Sequence, residues 1–567
     1  MTNEPYDGRQ RPTRVASDRE TAREPTPVNR ARVTAARRGL ILLASVVVSA
    51  CTATHPSGTM PPLNPSAAVS AQASAFGSPS ASASTASSAV PPSSAPSSSS
   101  GLPSSSPSGT IAWTACGAPF ECGTVTVPVD YAHPANGSMR LALIRLPAMG
   151  PGPKIGDLLT DPGGPGDSGV TFVREAGQSL FSANLRAHFD IIGFDPRGVG
   201  ASQPAIECVS GPTMDRMIAL DPIPTTAAER QAIVNAAKTF DAGCEAHSGA
   251  LLPYMSTVDA ARDMDAIRAA LGDPKLTYLG FSYGTFLGST YANLYPARVR
   301  AFVLDGAVDP TLPFVDSLIQ QAESFSANLN AFFTACAASQ NCAFSNGGQP
   351  KAAFDALMAR INQSPLPALE SGDPRPVTLG VALTGVTAAL YDVSAWPALG
   401  QGLALAQAGD GSILLRLADS YDQRNPNGTY SNIAAANTAV TCADTVVPTS
   451  VSFYEQLATT LEQKAPWFGA NEAYSGLECA FWPFHPAHDP VAPRAAGAPP
   501  IVVIGTTGDP ATPYSWAVKL AGELQSGVLL TRVGQGHTAY GQSACIDSAV
   551  DAYLISLTVP KSGTRCS

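Results

Sequence analysis

A serine between two glycines is the first feature of this chain that points to chemistry. The sequence Gly-Phe-Ser-Tyr-Gly at positions 280–284 separates an apolar run, 276–279, from a small-residue stretch, 285–292. This order predicts a nucleophile elbow, a sharp strand-to-helix turn that lifts the hydroxyl of Ser282 above the sheet edge. Side chains at 280 and 284 would collide with the neighbouring strand and helix. A chain with 49 glycines can contain the pattern by chance, so its context must support the assignment.

Serine needs an imidazole that takes its proton, and the imidazole needs a carboxylate that orients it. Among seven histidines, His537 lies in a Gly-Gln-Gly-His turn directly after the last predicted strand. Asp509 follows the penultimate strand, and Asp305, which follows an earlier strand, is the alternative acid. We predict Ser282, Asp509 and His537 as nucleophile, acid and base, in the chain order of α/β-hydrolases. Thr512 either supports Asp509 through a hydrogen bond or caps the following helix.

Two backbone N–H groups must stabilise the oxyanion that forms during acyl transfer. The first predicted donor is Tyr283, the residue after the nucleophile. The second comes from the sequence Asp-Pro-Gly-Gly-Pro-Gly at positions 161–166, where Pro165 has no N–H and Gly164 is the choice. A phosphate-binding loop would require a Lys-Ser or Lys-Thr pair after these glycines, and Asp-Ser stands there instead.

The elements around these residues alternate between strands and helices. Strands are predicted at 124–129, 140–146, 155–160, 188–194, 276–279 and 299–304, with a helix at 258–271. The alternation predicts an α/β fold with a mostly parallel sheet and helices on both faces. A shorter excursion, 202–255, leaves the core.

The strand pattern fades after the first part of the core, 111–309. Ala-rich helical stretches dominate residues 310–496, which we interpret as a largely helical lid inserted before the last strands. The second part of the core, 497–567, resumes with strands at 500–505 and 528–533, and a helix at 543–557 closes the chain.

The first 51 residues have the pattern of an export signal. Arginines precede an apolar run, 40–50, that is too short to span a bilayer as a helix. Small residues before Cys51 form a lipobox, which predicts a lipidated mature N-terminus on the outer face of the cell membrane. A plain secretory signal and a twin-arginine signal are the alternatives. Residues 52–110 are almost wholly Ser, Ala, Pro and Thr, which predicts a disordered tether.

The remaining composition limits the partners. The net charge of -10, without a basic patch, argues against nucleic acid. Of 11 cysteines, the ten besides Cys51 are even in number, which predicts disulfides in an exported chain. Their spacing suggests the following pairs, although other connectivities stay open: Cys116 with Cys122, Cys208 with Cys244, Cys336 with Cys342, Cys442 with Cys479, and Cys545 with Cys566. None of these pairs has the two-residue spacing of a zinc site, so neither a metal nor another cofactor is predicted.

Four motifs in order carry a family resemblance: residues 161–169, 193–200, 280–285 and 508–513. Together they resemble the secreted tripeptidyl aminopeptidases of actinobacteria, among the prolyl-aminopeptidase-like serine hydrolases, from about Cys116 to Cys566. The resemblance implies an aminopeptidase that removes short peptides from free N-termini, with His537 in a segment held by a disulfide. Members usually have Asn at the position of Asp161 and Gly at that of Asp167. Asp167 lies near the predicted oxyanion donors, where it would disfavour anionic substrate groups.

An exopeptidase must also bind the ammonium group of its peptide substrate. Asp444 and Glu478 are candidates, because the Cys442–Cys479 pair would bring them together. The alternative is that both are ordinary solvated carboxylates without a role in binding. An esterase or lipase with the same triad is the first alternative function, since the elbow does not distinguish an ester from an amide. A non-catalytic envelope binding protein is the second.

Overall fold

A computed structural model describes residues 110–567. The predicted export signal, Cys51 and all but the last residue of the predicted tether lie outside this part. Within it, the strands are β1 Thr114–Ala115, β2 Glu121–Pro128, β3 Ser138–Leu146, β4 Gly156–Asp161, β5 Phe189–Phe194, β6 Leu276–Phe281, β7 Val299–Asp305, β8 Leu366–Ala368, β9 Asp373–Val377, β10 Ile501–Gly508, β11 Gly527–Gln535 and β12 Thr564–Cys566.

The α-helices of the same residues number seventeen. They are α1 Gly169–Leu180, α2 Ala183–His188, α3 Gly211–Ile218, α4 Ala227–Ser248, α5 Thr257–Leu271, α6 Tyr283–Leu294, α7 Phe314–Ala338, α8 Pro350–Gln363, α9 Leu379–Leu390, α10 Trp396–Gln407, α11 Ser412–Tyr421, α12 Ile433–Asp444, α13 Val451–Lys464, α14 Gly469–Ser475, α15 Leu477–Ala480, α16 Tyr514–Glu523 and α17 Ala544–Ser556. None of them has the length and apolar character needed to cross a membrane.

Ten of the strands form one sheet in the order β1-β2-β3-β5-β4-β6-β7-β10-β11-β12. The pairs from β1 to β5 are antiparallel, and every pair from β5–β4 to β11–β12 is parallel. All six residues of β5 and of β6 are buried, because helices cover both faces of a parallel sheet. The predicted α/β architecture is therefore confirmed.

Local signals explain where helix α5 begins and ends. Helix α5 begins after Ser256, whose hydroxyl accepts a hydrogen bond from the backbone N–H of Asp259, and it stops at Gly272 with a φ of 84°. A left-handed residue of this kind ends a helix at least cost when it is glycine. Helix α5 thus ends at Leu271, where the helix predicted at 258–271 ends.

The chain between β7 and β10 is mostly helical, as predicted for the lid, but it also contains two short strands. Strands β8 and β9 pair with each other as a small antiparallel sheet. Their sequences contain prolines, which weaken the strand signal.

The sequence predicted that a helix closes the chain, but strand β12 follows helix α17. This three-residue strand pairs with β11. The prediction of a closing helix was wrong because so short a strand has no readable alternation.

Five disulfides join the cysteines of the described residues, and they coincide with the pairs that spacing suggests: Cys116–Cys122, Cys208–Cys244, Cys336–Cys342, Cys442–Cys479 and Cys545–Cys566. The last of these attaches β12 to the start of α17. The segment between β11 and β12, which contains His537, is therefore tied to the edge of the sheet.

Candidate active site

Ser282 lies between β6 and α6 in the conformation expected of a nucleophile elbow. Its φ of 53° and ψ of -124° are unusual for a residue with a side chain, and the residue is 3% exposed. Its backbone N–H donates a hydrogen bond of 2.9 Å to the carbonyl of Asp305 at the end of β7. Such strain persists only where the surroundings enforce it, and it is common at active sites.

The two glycines of the elbow are required by close contacts. A Cβ at Gly280 would lie 2.5 Å from the carbonyl oxygen of Gly284, and one at Gly284 would lie 2.7 Å from the carbonyl oxygen of Asp161. Side chains at these positions would force the turn apart. The steric reasoning from the sequence therefore describes the actual geometry.

Asp509 and His537 form a buried acid–imidazole pair. Nδ1 of His537 lies 2.9 Å from each carboxylate oxygen of Asp509. The carboxylate also accepts hydrogen bonds from the N–H groups of Ala511 at 2.9 Å and Thr512 at 2.8 Å. These bonds hold the acid in place, so that it can orient the ring and stabilise its cation.

The hydrogen bond between the base, His537, and the nucleophile, Ser282, is not formed in this structure. Nε2 of His537 is buried and makes no hydrogen bond within residues 110–567, so it is not bonded to the hydroxyl of Ser282. Both residues nevertheless contact one segment. Ser282 bonds to the carbonyl of Asp305, and a Cβ on the next residue, Gly306, would lie 3.0 Å from Cε1 of His537. Catalytic hydrogen bonds are often long in unliganded structures and tighten with substrate.

Asp305, the alternative acid, has another role. One of its carboxylate oxygens accepts hydrogen bonds from the N–H groups of Ala539 at 3.0 Å and Tyr540 at 2.7 Å. Burial raises the pKa of this carboxyl to about 6. Asp305 therefore anchors the chain that follows His537 and does not bond to its ring.

The loop predicted to supply the second oxyanion donor lies against the nucleophile. A Cβ at Gly163 would lie 2.8 Å from Cβ of Ser282 and 3.0 Å from the backbone nitrogen of Tyr283. Gly163 and Gly164 have φ values of 108° and 102°, which favour glycine. Gly164, Ser282 and Tyr283 all line one cavity. These positions are compatible with Tyr283 and Gly164 as the two donors.

Residues between β7 and β10 line the same cavity. Tyr391, Thr441 and Asp444 are among them, as are Asp309 and Asp489. Asp444 is partly exposed, and its carboxylate accepts hydrogen bonds from the N–H of Thr257 at 3.0 Å and from the hydroxyl of Thr257. Burial raises the pKa of Asp444 to about 7. A carboxylate therefore shares a cavity with the proposed nucleophile.

Glu478, the second candidate for amine binding, lies elsewhere. It lines a different cavity, beside Glu472 and Phe240, and accepts a hydrogen bond of 2.7 Å from the hydroxyl of Thr438. The Cys442–Cys479 disulfide brings its two helices together as expected. The two candidates nevertheless face different cavities.

Thr512 takes the first of its two predicted roles. Its hydroxyl donates a hydrogen bond to Asp509 at 3.1 Å and lies 3.3 Å from Nδ1 of His537. Thr512 does not cap the following helix, because Pro513 is the residue that precedes α16.

Tyr391 was missed by the sequence analysis. Its carbonyl accepts the N–H of His537 at 2.7 Å, and its ring packs edge-on against the imidazole at 5.5 Å. No local sequence signal marks Tyr391, because it meets the histidine only in the folded chain.

Residues 110–567 contain no group of three or more His, Cys, Asp or Glu side chains placed to hold a metal ion. The arrangement instead provides a strained serine, a buried acid–imidazole pair and a glycine loop beside a cavity. These are the parts that acyl transfer requires.

Comparison with known proteins identifies the family. Residues 159–347 match the family described as alpha/beta hydrolase fold, and residues 465–566 match the family described as TAP-like protein. The serine protease Hip1 of Mycobacterium tuberculosis is 40% identical over 458 residues, which cover 78% of this chain and 87% of that protein.

Two further relatives have different names. Carboxylesterase B of Mycobacterium tuberculosis is 35% identical over 459 residues, with 79% of this chain and 86% of that protein covered. The tripeptidyl aminopeptidase of Streptomyces lividans is 33% identical over 458 residues, with coverage of 78% and 84%. The chain is thus an enzyme of the serine hydrolase class, and it belongs to the tripeptidyl aminopeptidase-like family of α/β-hydrolases.

Proposed function

We propose that this protein is an exported serine exopeptidase that releases short, tripeptide-type fragments from the free N-termini of peptides. One observation carries the proposal: the cavity at Ser282 is also lined by the carboxyl groups of Asp309, Asp489 and the partly exposed Asp444. A nucleophile and an ionisable carboxyl group in one cavity suit a substrate with a scissile carbonyl and an ammonium group. The names of the serine protease and tripeptidyl aminopeptidase relatives support the same function.

In the proposed mechanism, the hydroxyl oxygen of Ser282 attacks the peptide carbonyl while its proton passes to Nε2 of His537. Asp509 holds the imidazole and stabilises the cation that forms. The N–H groups of Tyr283 and Gly164 stabilise the oxyanion. His537 then gives the proton to the leaving amine, and an acyl-enzyme remains. Water, activated by the same imidazole, releases the fragment and restores Ser282.

The ammonium group of the peptide is proposed to bind Asp444. Two bonds from Thr257 hold this carboxylate at the N-terminus of α5, so little side-chain entropy is lost when an ammonium group binds. Glu478 is less suitable because it lines the other cavity and bonds to Thr438.

The anchor is part of the proposal as well. Lipidation of Cys51 would attach the enzyme to the outer face of the cell membrane, and residues 52–110 would extend the catalytic part away from it. Radiolabelled palmitate should be incorporated by the full-length chain but not by Cys51→Ala. Equal labelling of both proteins would contradict lipidation at this residue.

Three substrates test the exopeptidase assignment: a tripeptide anilide, its N-acetylated form and a short acyl ester. We expect the free anilide to be cleaved much faster than the acetylated one, because acetylation removes the ammonium charge. Ser282→Ala should abolish turnover and prevent labelling by a fluorophosphonate. If only the ester turns over, the exopeptidase proposal fails.

A carboxylesterase is the second candidate function. The relative named carboxylesterase B, at 35% identity, favours it, and an ester needs the same nucleophile and oxyanion donors. The comparison of anilide and ester separates the two. A non-catalytic binding protein would show neither turnover nor fluorophosphonate labelling at Ser282.

A further inference from the structure

We propose that Asp161 is a positioning residue that acts as a neutral acid, holding the oxyanion loop in shape, and that its ionisation suppresses turnover at alkaline pH. The oxyanion loop is defined as residues 162–166, which directly follow Asp161. The inference rests on the proposed oxyanion hole, and it concerns a residue that takes no part in the triad.

The geometry places Asp161 directly behind the loop. It is the last residue of β4, lies opposite Gly280 of β6 and is 0% exposed. Its Oδ1 accepts a hydrogen bond of 2.9 Å from the N–H of Gly163. Gly163 in turn lies against Ser282 and the backbone nitrogen of Tyr283. One carboxyl oxygen therefore holds the residue that packs against the nucleophile and the first proposed donor.

The second carboxyl oxygen, Oδ2, is buried and makes no hydrogen bond in the described part of the chain. An ionised carboxylate in this position would lack a partner for half of its charge, which is costly at low dielectric. A protonated carboxyl costs far less, and its carbonyl oxygen can still accept the hydrogen bond from Gly163. A protonated Asp161 has nearly the same shape and the same hydrogen-bond acceptor as asparagine, the residue usual at this position in the family that the sequence resembles.

The surrounding groups also disfavour a charge on Asp161. The loop before α1 contributes Asp167, the end of β5 contributes Asp195, and β6 and α6 contribute the hydroxyls of Tyr278 and Tyr283. Burial holds the pKa of Asp161 well above its ordinary range, Asp167 and Asp195 raise it further, and only the bond from Gly163 lowers it. Among the described residues, no lysine or arginine forms an ion pair with it.

Ionisation would affect the reaction because the loop lies between this carboxyl and the reacting carbonyl. A negative charge behind Gly163 would repel the oxyanion that develops in front of it, and the transition state would lose stabilisation. The ground-state ester or amide is uncharged, so kcat should decrease more than substrate binding weakens. As pH rises through the pKa of Asp161, kcat should therefore fall.

The experiment compares kcat against pH for the wild type and Asp161→Asn, with both a tripeptide anilide and a short acyl ester. Asparagine keeps the acceptor for Gly163 and cannot ionise. As the pH is raised from neutrality to the highest value at which both proteins stay folded, we expect kcat to decrease at least about tenfold for the wild type and less than about twofold for Asp161→Asn. Asp157→Asn is the matched control, since Asp157 is buried in the same strand but bonds to Lys154. This control should keep the alkaline decrease.

An alkaline decrease that persists in Asp161→Asn overturns the proposal, and so does a wild type without such a decrease. Asp161→Leu separates positioning from packing: kcat should fall at all pH values, with KM little changed, and asparagine should restore most of it. Hydrolysis of the ester alone would defeat the exopeptidase function but would still test Asp161, because both substrates use the same oxyanion donors.

Thermal unfolding gives a readout that needs no substrate. A carboxyl whose pKa is raised in the folded state holds its proton there while the unfolded chain loses it, so stability falls as pH rises. Asp161→Asn should weaken this decrease in melting temperature, which begins near the ordinary aspartate pKa of about 3.9 and continues up to the folded-state pKa. Parallel melting curves for the wild type and Asp161→Asn across that range would contradict a neutral Asp161.

Discussion

Both carboxylate oxygens of Asp509 lie 2.9 Å from Nδ1 of His537, whereas Asp305 bonds to backbone N–H groups of the residues that follow this histidine. Two acids at the ends of adjacent strands thus have separate tasks. The first orients the imidazole ring, and the second anchors the chain that carries it. The distinction can be measured, because only Asp509 makes a hydrogen bond to the ring.

Asp509→Asn should lower kcat by about 10³–10⁴-fold, because an amide does not stabilise the imidazolium and favours the wrong tautomer. Asp305→Asn removes no contact to the ring, so we expect a decrease below about tenfold and a lower melting temperature. Steady-state kinetics of both variants on the ester provide the comparison. Equal losses in the two would contradict the assignment of Asp509.

Asp444→Asn should lower kcat/KM for the free tripeptide anilide by about 10–100-fold, the value of a charge-assisted hydrogen bond. Hydrolysis of the neutral ester should change little. Glu478→Gln is the matched control, since this carboxylate lines the other cavity. If Glu478→Gln causes the greater loss on the anilide, the ammonium group binds there and not at Asp444.

The pH dependence of the anilide reaction should also reflect Asp444. Burial raises its pKa to about 7, so below that pH the group is mostly neutral and binds an ammonium group weakly. The ratio of kcat/KM for anilide to that for ester should therefore rise from acid pH to about 7 and fall again above about 8, where the ammonium group of the anilide loses its proton. In Asp444→Asn the ratio should lose this rise. A wild-type ratio that stays constant from acid to neutral pH would count against the contact.

Asp241→Asn should stabilise the fold at neutral and alkaline pH. Asp241 is 4% exposed in α4, and neither carboxylate oxygen has a hydrogen bond within the described residues. Burial, followed by the nearby Glu478, raises its pKa from 3.8 to about 9. The folded state keeps this proton while the unfolded chain releases it, so its contribution to stability falls between those pH values.

Denaturant unfolding at several pH values checks this prediction. The free energy of unfolding of Asp241→Asn relative to the wild type should rise with pH and reach about 1–3 kcal/mol near neutrality. Asp316→Asn, on the exposed side of α7, serves as the control and should show no such trend. A constant difference for Asp241→Asn would mean that this carboxyl is already ionised in the folded state.

Features that depend on residues close together in the sequence could be predicted without the structure. The elbow at Ser282 needs a glycine at 280 because the backbone turns within five residues and brings the carbonyl of Gly284 close. The clash at 284 involves Asp161 on the neighbouring strand β4 and depends on the sheet. The short-range disulfides Cys116–Cys122 and Cys336–Cys342 and the stop of α5 at Gly272 are similarly local. The small strands β8, β9 and β12 carry too few residues for a periodic signal.

By itself, the amino-acid sequence determined the α/β architecture, the order of serine, acid and histidine, and the glycine loop, because each depends on neighbouring residues or on chain order. Only the tertiary structure decided which acid meets the imidazole, that Asp444 and not Glu478 lines the cavity of Ser282, and that Tyr391 packs against His537. Those relationships join residues that lie far apart in the chain. Their distances depend on how the helices between β7 and β10 pack over the sheet, which no local pattern encodes.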